Sequence, residues 1–189
     1  MMNVYYVLKQ DFYAFDYLFE LDSLPLTLNT TAIYKNEWQH ISDTEEIIDI
    51  VNRTSEKLTD FYYIDIPLIS HKFKILLDDL DVKNTFYKPI FLRDMSDISR
   101  DVFEYYLMLA GEVDCVNWDN VDYIESPLSK LKEIKGGFEI DRSKTGDFKI
   151  FKIKGVLARF YIINEELKER IVEEGLKGIS IVETTQYRD

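Results

Sequence analysis

Two segments of the chain share one order of hydrophobic and polar positions. Each begins with an aromatic-rich strand pattern, continues through a polar helix-capping residue and a short amphipathic stretch, and ends in a second strand pattern. The first unit covers residues 60–92 and the second covers residues 158–183. We expect each unit to fold as strand, helix and strand. The similarity is compatible with a duplication and also with a chance likeness.

The helix in each unit is the clearest prediction from the pattern. Ser70 can cap the first helix, and apolar residues recur behind it at i, i+3, i+4 and i+7. These residues are Phe73, Leu76, Leu77 and Leu80. Asn164 can cap the second helix, and Gly175 stands where a left-handed residue ends a helix. A return strand is expected after each helix, at 86–92 and at 179–182.

The remaining pattern predicts further strands, loops and one more helix. Strands are expected at 4–8, 105–109, 113–116, 138–140 and 148–153, the last two as a hairpin around a turn at 144–147. Residues 15–21 alternate between apolar and acidic, which predicts a strand, with a helix over 11–19 as the alternative. Ser42 and Glu45 fit a capping box and predict a helix through Val51. The polar stretches 93–104 and 118–131 predict loops.

This mixture of strands with few helices predicts the α+β class. A length of 189 residues fits one domain, 1–189, with a sizeable core. Apolar residues make up 46% of the chain, including 13 Tyr and 12 Phe, which excludes a disordered chain. We expect most of these aromatic residues to lie in the core.

The charge of the chain limits the kind of partner it can have. The net charge is −12, and Lys and Arg are scattered rather than collected in a stripe. Nucleic acid and an anionic membrane surface are therefore not expected as partners. Acid on the surface favours solubility, and it also speeds association with a basic protein.

The sequence also indicates in which cellular compartment the protein is expected. There is one cysteine, Cys115, so no disulfide can form within the chain, and we expect a buried thiol. Residues 1–22 have no basic start and are interrupted by acids, unlike a signal peptide. No apolar run approaches the ~20 residues of a membrane span. These features predict a cytoplasmic protein.

Two acidic stretches are the candidate partner-binding surfaces. One contains Asp94, Asp97 and Asp101, and the other contains Trp118, Asp119 and Asp122. Each stretch is also compatible with a simple solvated loop. A tryptophan on an exposed loop is typical of the centre of a protein interface, and acids attract a basic partner. We therefore predict these six residues as contacts with a basic protein surface.

No motif predicts catalysis, a cofactor or a metal. His40, His71 and Cys115 lack the spacing of a zinc site. The acids at 114–125 lack the glycine and the closing glutamate of a calcium loop. A carboxylate-dependent hydrolase remains an alternative, since it needs only two close carboxyl groups, one with a raised pKa. With 35 acids in the chain, some pair always fits that description.

Four segments carry a resemblance to a known family. They are YYVL near the N-terminus, DFYYIDIPLISHKFKILLDDL, YYLMLAGEVDCVNW, and ARFYIINEELKERIVEEGLKGISIVE. In this order they resemble bacterial immunity proteins of polymorphic toxin systems, in immunity protein family eleven, and a sister immunity family is similar as well. The resemblance covers residues 3–8 and 58–185 and rests on fold-type patterns. Asn117 departs from it, because the family pattern commonly has an acid there.

The resemblance implies a single α+β domain that neutralises a co-produced toxin by binding it. It implies no cofactor and no catalytic residues, so a non-enzymatic protein is expected. The alternatives from other classes are the hydrolase and a structural or adaptor domain without a toxin, for which self-association is expected.

Overall fold

The computed structural model describes residues 4–96 and 101–189, which form thirteen strands and three α-helices. In chain order these are β1 (Tyr5–Gln10), β2 (Glu20–Leu21), α1 (Thr30–Tyr34), β3 (Glu46–Val51), β4 (Phe61–Tyr62), β5 (Leu68–Ser70), α2 (His71–Asp79), β6 (Thr85–Asp94), β7 (Val102–Ala110), β8 (Glu112–Val113), β9 (Tyr123–Glu125), β10 (Lys132–Ile134), β11 (Ile150–Ile153), β12 (Phe160–Asn164), α3 (Glu165–Glu173) and β13 (Ile179–Glu183). None of the helices in these two ranges has the length and apolar character to cross a bilayer.

Two mixed sheets and a small hairpin contain these strands. One sheet has six strands in the order β2-β3-β6-β7-β5-β4, and the other has five in the order β13-β1-β12-β11-β8. Strands β9 and β10 pair separately as an antiparallel hairpin. The parallel pairs are β3 with β6 and β8 with β11. Mixed sheets with few helices make this an α+β domain, as the sequence predicts.

The alternation of side chains along the strands separates three apolar layers. Ile163 and Tyr161 of β12 point to a central layer between the two sheets, which α2 and α3 also fill. Ile162 and Phe160 point to an outer layer under the segment around Val116. The opposite face of the six-stranded sheet buries a third layer beneath α1. A strand with both faces buried reads as a continuous apolar run, as in the sequence of β12.

The two similar units have the same topology. In the first unit β5 and β6 flank β7, and in the second unit β12 and β13 flank β1. Both outer strands run antiparallel to the middle one, so they are parallel to each other and joined by a helix. The predicted caps form, since Ser70 Oγ accepts from Phe73 N at 3.2 Å and Asn164 Oδ1 accepts from Leu167 N at 3.0 Å.

The start of the first unit is bonded to the end of the second. Asp60 accepts hydrogen bonds from Ser70 Oγ at 2.5 Å and from Lys177 N at 2.6 Å. The buried Thr59 hydroxyl lies 3.2 Å from the carbonyl of Gly178, whose φ is +68°. The two units therefore depend on each other for backbone hydrogen bonds.

The helix predicted after Ser42 is wrong. Residues 46–51 form β3, because Ile48 and Ile50 alternate inward while the strand pairs in parallel with β6. The buried ammonium of Lys88 donates to the carbonyl oxygens of Ser42 and Thr44, which fixes the preceding turn. A buried partner distant in sequence thus decides the local structure against its helical pattern.

Several other predictions need correction. Residues 15–21 contain a 3-10 turn at Phe15–Tyr17 and only the two-residue β2, in place of either the strand or the helix. The predicted hairpin at 138–153 is absent from the described residues, because β11 pairs with β8 and β12, and the strand predicted at 113–116 is reduced to the two-residue β8. The predicted loops are shorter, since β6 extends to Asp94, β7 begins at Val102, and β9 lies within 118–131.

Candidate functional site

The first predicted acidic surface is mostly a structural ion pair. Asp94 is fully buried at the end of β6, with its Oδ2 atom 2.9 Å from Arg53 Nε. Asp101 is half-exposed and lies 3.7 Å from Nη1 of the same arginine. Predicting Asp94 as a surface contact was wrong, because its carboxylate is needed to neutralise Arg53 beneath the surface. Asp97 lies outside the described residues.

The second predicted surface forms one exposed segment on the outer layer of the five-stranded sheet. Asp119 and Asp122 are exposed. Trp118 is half-buried, with its ring edge-on to Tyr123 at 5.2 Å and Lys132 Nζ 4.9 Å above it. The tryptophan is therefore held by its neighbours and presents only part of its surface. Asp94 and Asp101 belong to the other sheet, so the two predicted surfaces are separate features of the fold.

The candidate chemical groups are placed apart from one another. Cys115 is fully buried, as predicted, and burial followed by the charge of Asp114 raises the pKa of its thiol to about 12. His71 begins α2 with Nδ1 3.1 Å from Glu104, and His40 is exposed. Residues 4–96 and 101–189 contain no group of three His, Cys, Asp or Glu side chains placed to hold a metal ion.

A large cleft opens where the five-stranded sheet meets α1 and the connection from β4 to β5. Its volume is about 970 Å³, which suits a small-molecule ligand or an inserted side chain. Aromatic and aliphatic side chains form much of its wall, including Tyr63, Phe160 and Tyr187. Its basic side chains are Lys9, Lys35, Lys152, Lys154 and Arg159, and its acidic ones are Glu37, Asp65, Glu112, Glu133 and Asp189.

A buried lysine and a buried tyrosine meet at the wall of this cleft. Lys152 lies on β11 and is 9% exposed, and its Nζ atom donates to Tyr63 Oη at 3.2 Å. Tyr63 is held in turn by Gln10, whose side-chain oxygen accepts from the Tyr63 backbone N–H at 2.8 Å. Three segments that are far apart in the sequence thus position one ammonium group and one phenol.

Exposed apolar side chains occur in the lining of the cleft and on the loop that supplies one of them. Phe12, Tyr34 and Leu157 line it and are 48%, 65% and 61% exposed. Tyr13 and Phe15, on the same loop as Phe12, are 86% and 66% exposed. We call these five residues the aromatic rim. Large apolar side chains collected at a surface mark sites of interaction.

Sequence reasoning missed both the rim and the buried lysine. Phe15 lay in the predicted strand 15–21, and the aromatic residues in general were expected mostly in the core. Nothing in their pattern distinguishes an exposed aromatic from a buried one. The unusual position of Lys152 could have been recognised from the sequence, because this lysine interrupts the apolar run Ile150–Ile153. A lysine in such a run is either buried or at an edge, and β11 is an interior strand of its sheet.

Comparison with known proteins adds no relative to this picture. The chain matches no protein-family model, and a search of curated proteins returns no match. The resemblance to immunity proteins therefore stays a prediction.

Proposed function

We propose that this chain is a cytoplasmic, non-enzymatic immunity protein that binds a toxin domain and blocks its action through the aromatic rim. The sequence resemblance suggests the biological role, and the rim is the observation that supports binding. Five large apolar side chains remain exposed, three in the lining of one cleft and two within three residues of Phe12 along the chain, although the fold buries three apolar layers elsewhere.

The rim has the features of an interface centre. Aromatic residues dominate interface energetics because they bury a large area with little loss of side-chain freedom. Tyr13 and Phe15 project from a loop whose 3-10 turn has no buried residue. The cleft that Phe12 lines has a volume of about 970 Å³, which is enough for a side chain from the partner.

The overall charge supports a basic partner. A net charge of −12 attracts a positively charged toxin domain over a distance of about 10 Å at moderate salt. Such long-range attraction raises the association rate more than it tightens the final complex. Apolar contacts at the rim then set the dissociation rate.

Co-expression with a toxin domain, identified by affinity capture of the tagged chain from its own host, tests the proposal. Cells that produce both proteins are expected to grow, and cells with the toxin domain alone are not. The double variant Tyr13→Ser, Phe15→Ser should lose protection, because each serine removes an interface aromatic that the fold does not use. A control with Ile47→Ser and Val172→Ser changes two other exposed apolar residues and should still protect.

The outcomes separate the alternatives. No protection by the wild-type protein, with both proteins present at normal levels, would overturn the immunity proposal. If the Tyr13→Ser, Phe15→Ser variant still protects the cells, the immunity role stands but the rim is not the binding surface. A stable dimer that leaves the toxin domain unbound would favour an adaptor instead.

The acidic surface makes a separate kinetic prediction. Asp101→Lys should slow association with a basic toxin domain several-fold at low salt, because the half-exposed carboxylate lies on the surface. Dissociation should change little. Stopped-flow measurement of the association rate at low and high salt provides the check, and an unchanged rate at low salt would contradict steering by this residue.

A further inference from the structure

We propose that the cleft is a binding site for a small organic anion, a carboxylate or phosphate group carried on an apolar body, with Lys152 and Tyr63 as the anion-binding pair. The proposal goes beyond toxin neutralisation and concerns the chain alone. It rests on a comparison of the hydrogen-bond and ion-pair partners of the two buried lysines, Lys152 and Lys88.

Lys152 is poorly satisfied for a buried lysine. Its ammonium has three N–H donors, yet the phenol oxygen of Tyr63 is its one hydrogen-bond acceptor among the described residues. No carboxylate in those ranges lies within ion-pair distance of it. Burying a charge without a counter-charge is costly, so an anion that contacts the Lys152 ammonium would be bound favourably.

Lys88 shows how the same fold treats a buried lysine that is satisfied. It is 1% exposed, and its ammonium donates to the carbonyl oxygens of Ser42 and Thr44. Glu46 lies 3.7 Å away as a counter-charge. Lys152 has neither the carbonyl acceptors nor the acid, and unlike Lys88 it lines an open cleft. We infer from this contrast that Lys88 stabilises the fold and that Lys152 binds a ligand in the cleft.

Tyr63 supplies a second donor at the same point. Its oxygen accepts from Lys152, which leaves its own hydroxyl hydrogen directed elsewhere. No described residue accepts that hydrogen. An ammonium and a hydroxyl that are 3.2 Å apart can each donate to a different oxygen of one carboxylate or phosphate.

The charge inside the cleft favours an anion although the chain is acidic. Five basic side chains line it, and none forms an ion pair within residues 4–96 and 101–189. Of the five acids, Glu133 and Asp189 are already paired with Lys135, which lies outside the lining. The cations thus outnumber the acids that remain. A cleft with apolar walls focuses this positive field.

The walls define the rest of the ligand. Aromatic and aliphatic side chains, including Phe160 and Tyr187, line the cleft together with the buried pair. An aromatic or branched aliphatic body would bury its surface there, and the anionic group would lie at Lys152. Inorganic phosphate lacks such a body and should bind weakly.

Calorimetric titration of the purified chain at neutral pH tests the site with three matched probes. These are 1-naphthylacetate, 1-naphthyl phosphate and the neutral 1-naphthalenemethanol. At least one anion should bind with a Kd of about 1–100 μM, and the neutral probe should bind about tenfold more weakly or not at all. The better anion identifies the headgroup. Equal binding of the neutral probe, or no binding of either anion at about 1 mM, would overturn the proposal.

Two variants and one control locate the site. Lys152→Met should weaken the anion about tenfold or more, and Tyr63→Phe should weaken it severalfold. Lys57→Met removes an exposed lysine that lies outside the cleft lining and should change Kd by less than about threefold. Lys152→Met should also fold at least as stably as the wild type, because it removes a poorly paired buried charge. Unchanged affinity in both Lys152→Met and Tyr63→Phe would refute the pair, and if one variant fails to fold the other decides.

Discussion

Replacing Gly178 with alanine should destabilise the fold more than the backbone angle alone explains. Gly178 has a φ of +68°, and an added Cβ would lie 2.0 Å from Thr59 Oγ1 and 2.6 Å from Thr59 Cβ. Thr59 is fully buried, and its hydroxyl also bonds to the carbonyl of Phe61 at 2.9 Å. The new methyl must therefore push a packed residue that joins the two units.

The magnitude follows from three contributions. The left-handed angle costs an L-residue about 1–2 kcal/mol. Displacing a well-packed neighbour costs about 1–3 kcal/mol, and a disturbed buried hydroxyl adds about 1 kcal/mol. Together they predict a loss of about 3–6 kcal/mol, which lowers the urea midpoint by roughly 1.5–3 M at an m-value of about 2 kcal/mol/M.

Gly175 is the matched control. Its φ is +63°, it lies in the same connection, and an added Cβ would meet nothing within 4 Å. Gly175→Ala should cost only the angle, about 1–2 kcal/mol. In the Gly178→Ala background, Thr59→Gly should recover about 1 kcal/mol or more, because it removes the two closest atoms. Equal losses for the two alanine variants in urea denaturation would refute the reasoning.

Three further predictions concern stability and reactivity. Ser70→Ala removes the cap of α2 and should cost about 1 kcal/mol in urea unfolding, and a loss below a few tenths would contradict the cap. The Cys115 thiol should not react with a disulfide reagent at pH 8 until urea unfolds the chain, because burial raises its pKa to about 12, whereas rapid labelling of the folded protein would contradict that burial. Burial also raises the pKa of Tyr87 to about 12 from its ordinary value of 10.0. Because the pKa of Tyr87 is higher in the folded than in the unfolded chain, its contribution to stability is complete below the unfolded pKa and is lost as the pH rises toward the folded pKa. The free energy of unfolding should therefore be level to about pH 9 and fall toward pH 12. A urea midpoint that stays constant above about pH 10 would contradict this.

The two strand-helix-strand units were predictable because local signals agree with the fold. In α2 the cap, the apolar stripe of Phe73, Leu76 and Leu77, and the strands on either side all favour one structure. The same holds for α3 between Asn164 and Gly175. Such agreement across levels is what makes a segment's structure readable from its sequence.

The rest depended on contacts between distant residues. The strand β3 follows a capping-box sequence, but Lys88, more than 40 residues later, bonds to the carbonyls that a helix starting at Ser42 would need for its own backbone hydrogen bonds. The cleft brings together Tyr63 and Lys152, which are 89 residues apart. Asp94 looked like a surface acid because Arg53, its buried partner, is distant in the sequence. None of these contacts can be predicted from the local sequence pattern.

The most direct test of the account is affinity capture of the tagged chain from its own host, followed by calorimetry of the purified chain with the captured toxin domain and a measurement of that domain's inhibition. A one-to-one complex that abolishes toxicity is predicted, and Tyr13→Ser with Phe15→Ser should weaken it by about 100-fold or more. The Ile47→Ser, Val172→Ser control should retain wild-type affinity. No complex with the wild-type chain, or a complex that leaves the toxin domain fully active, would contradict the account.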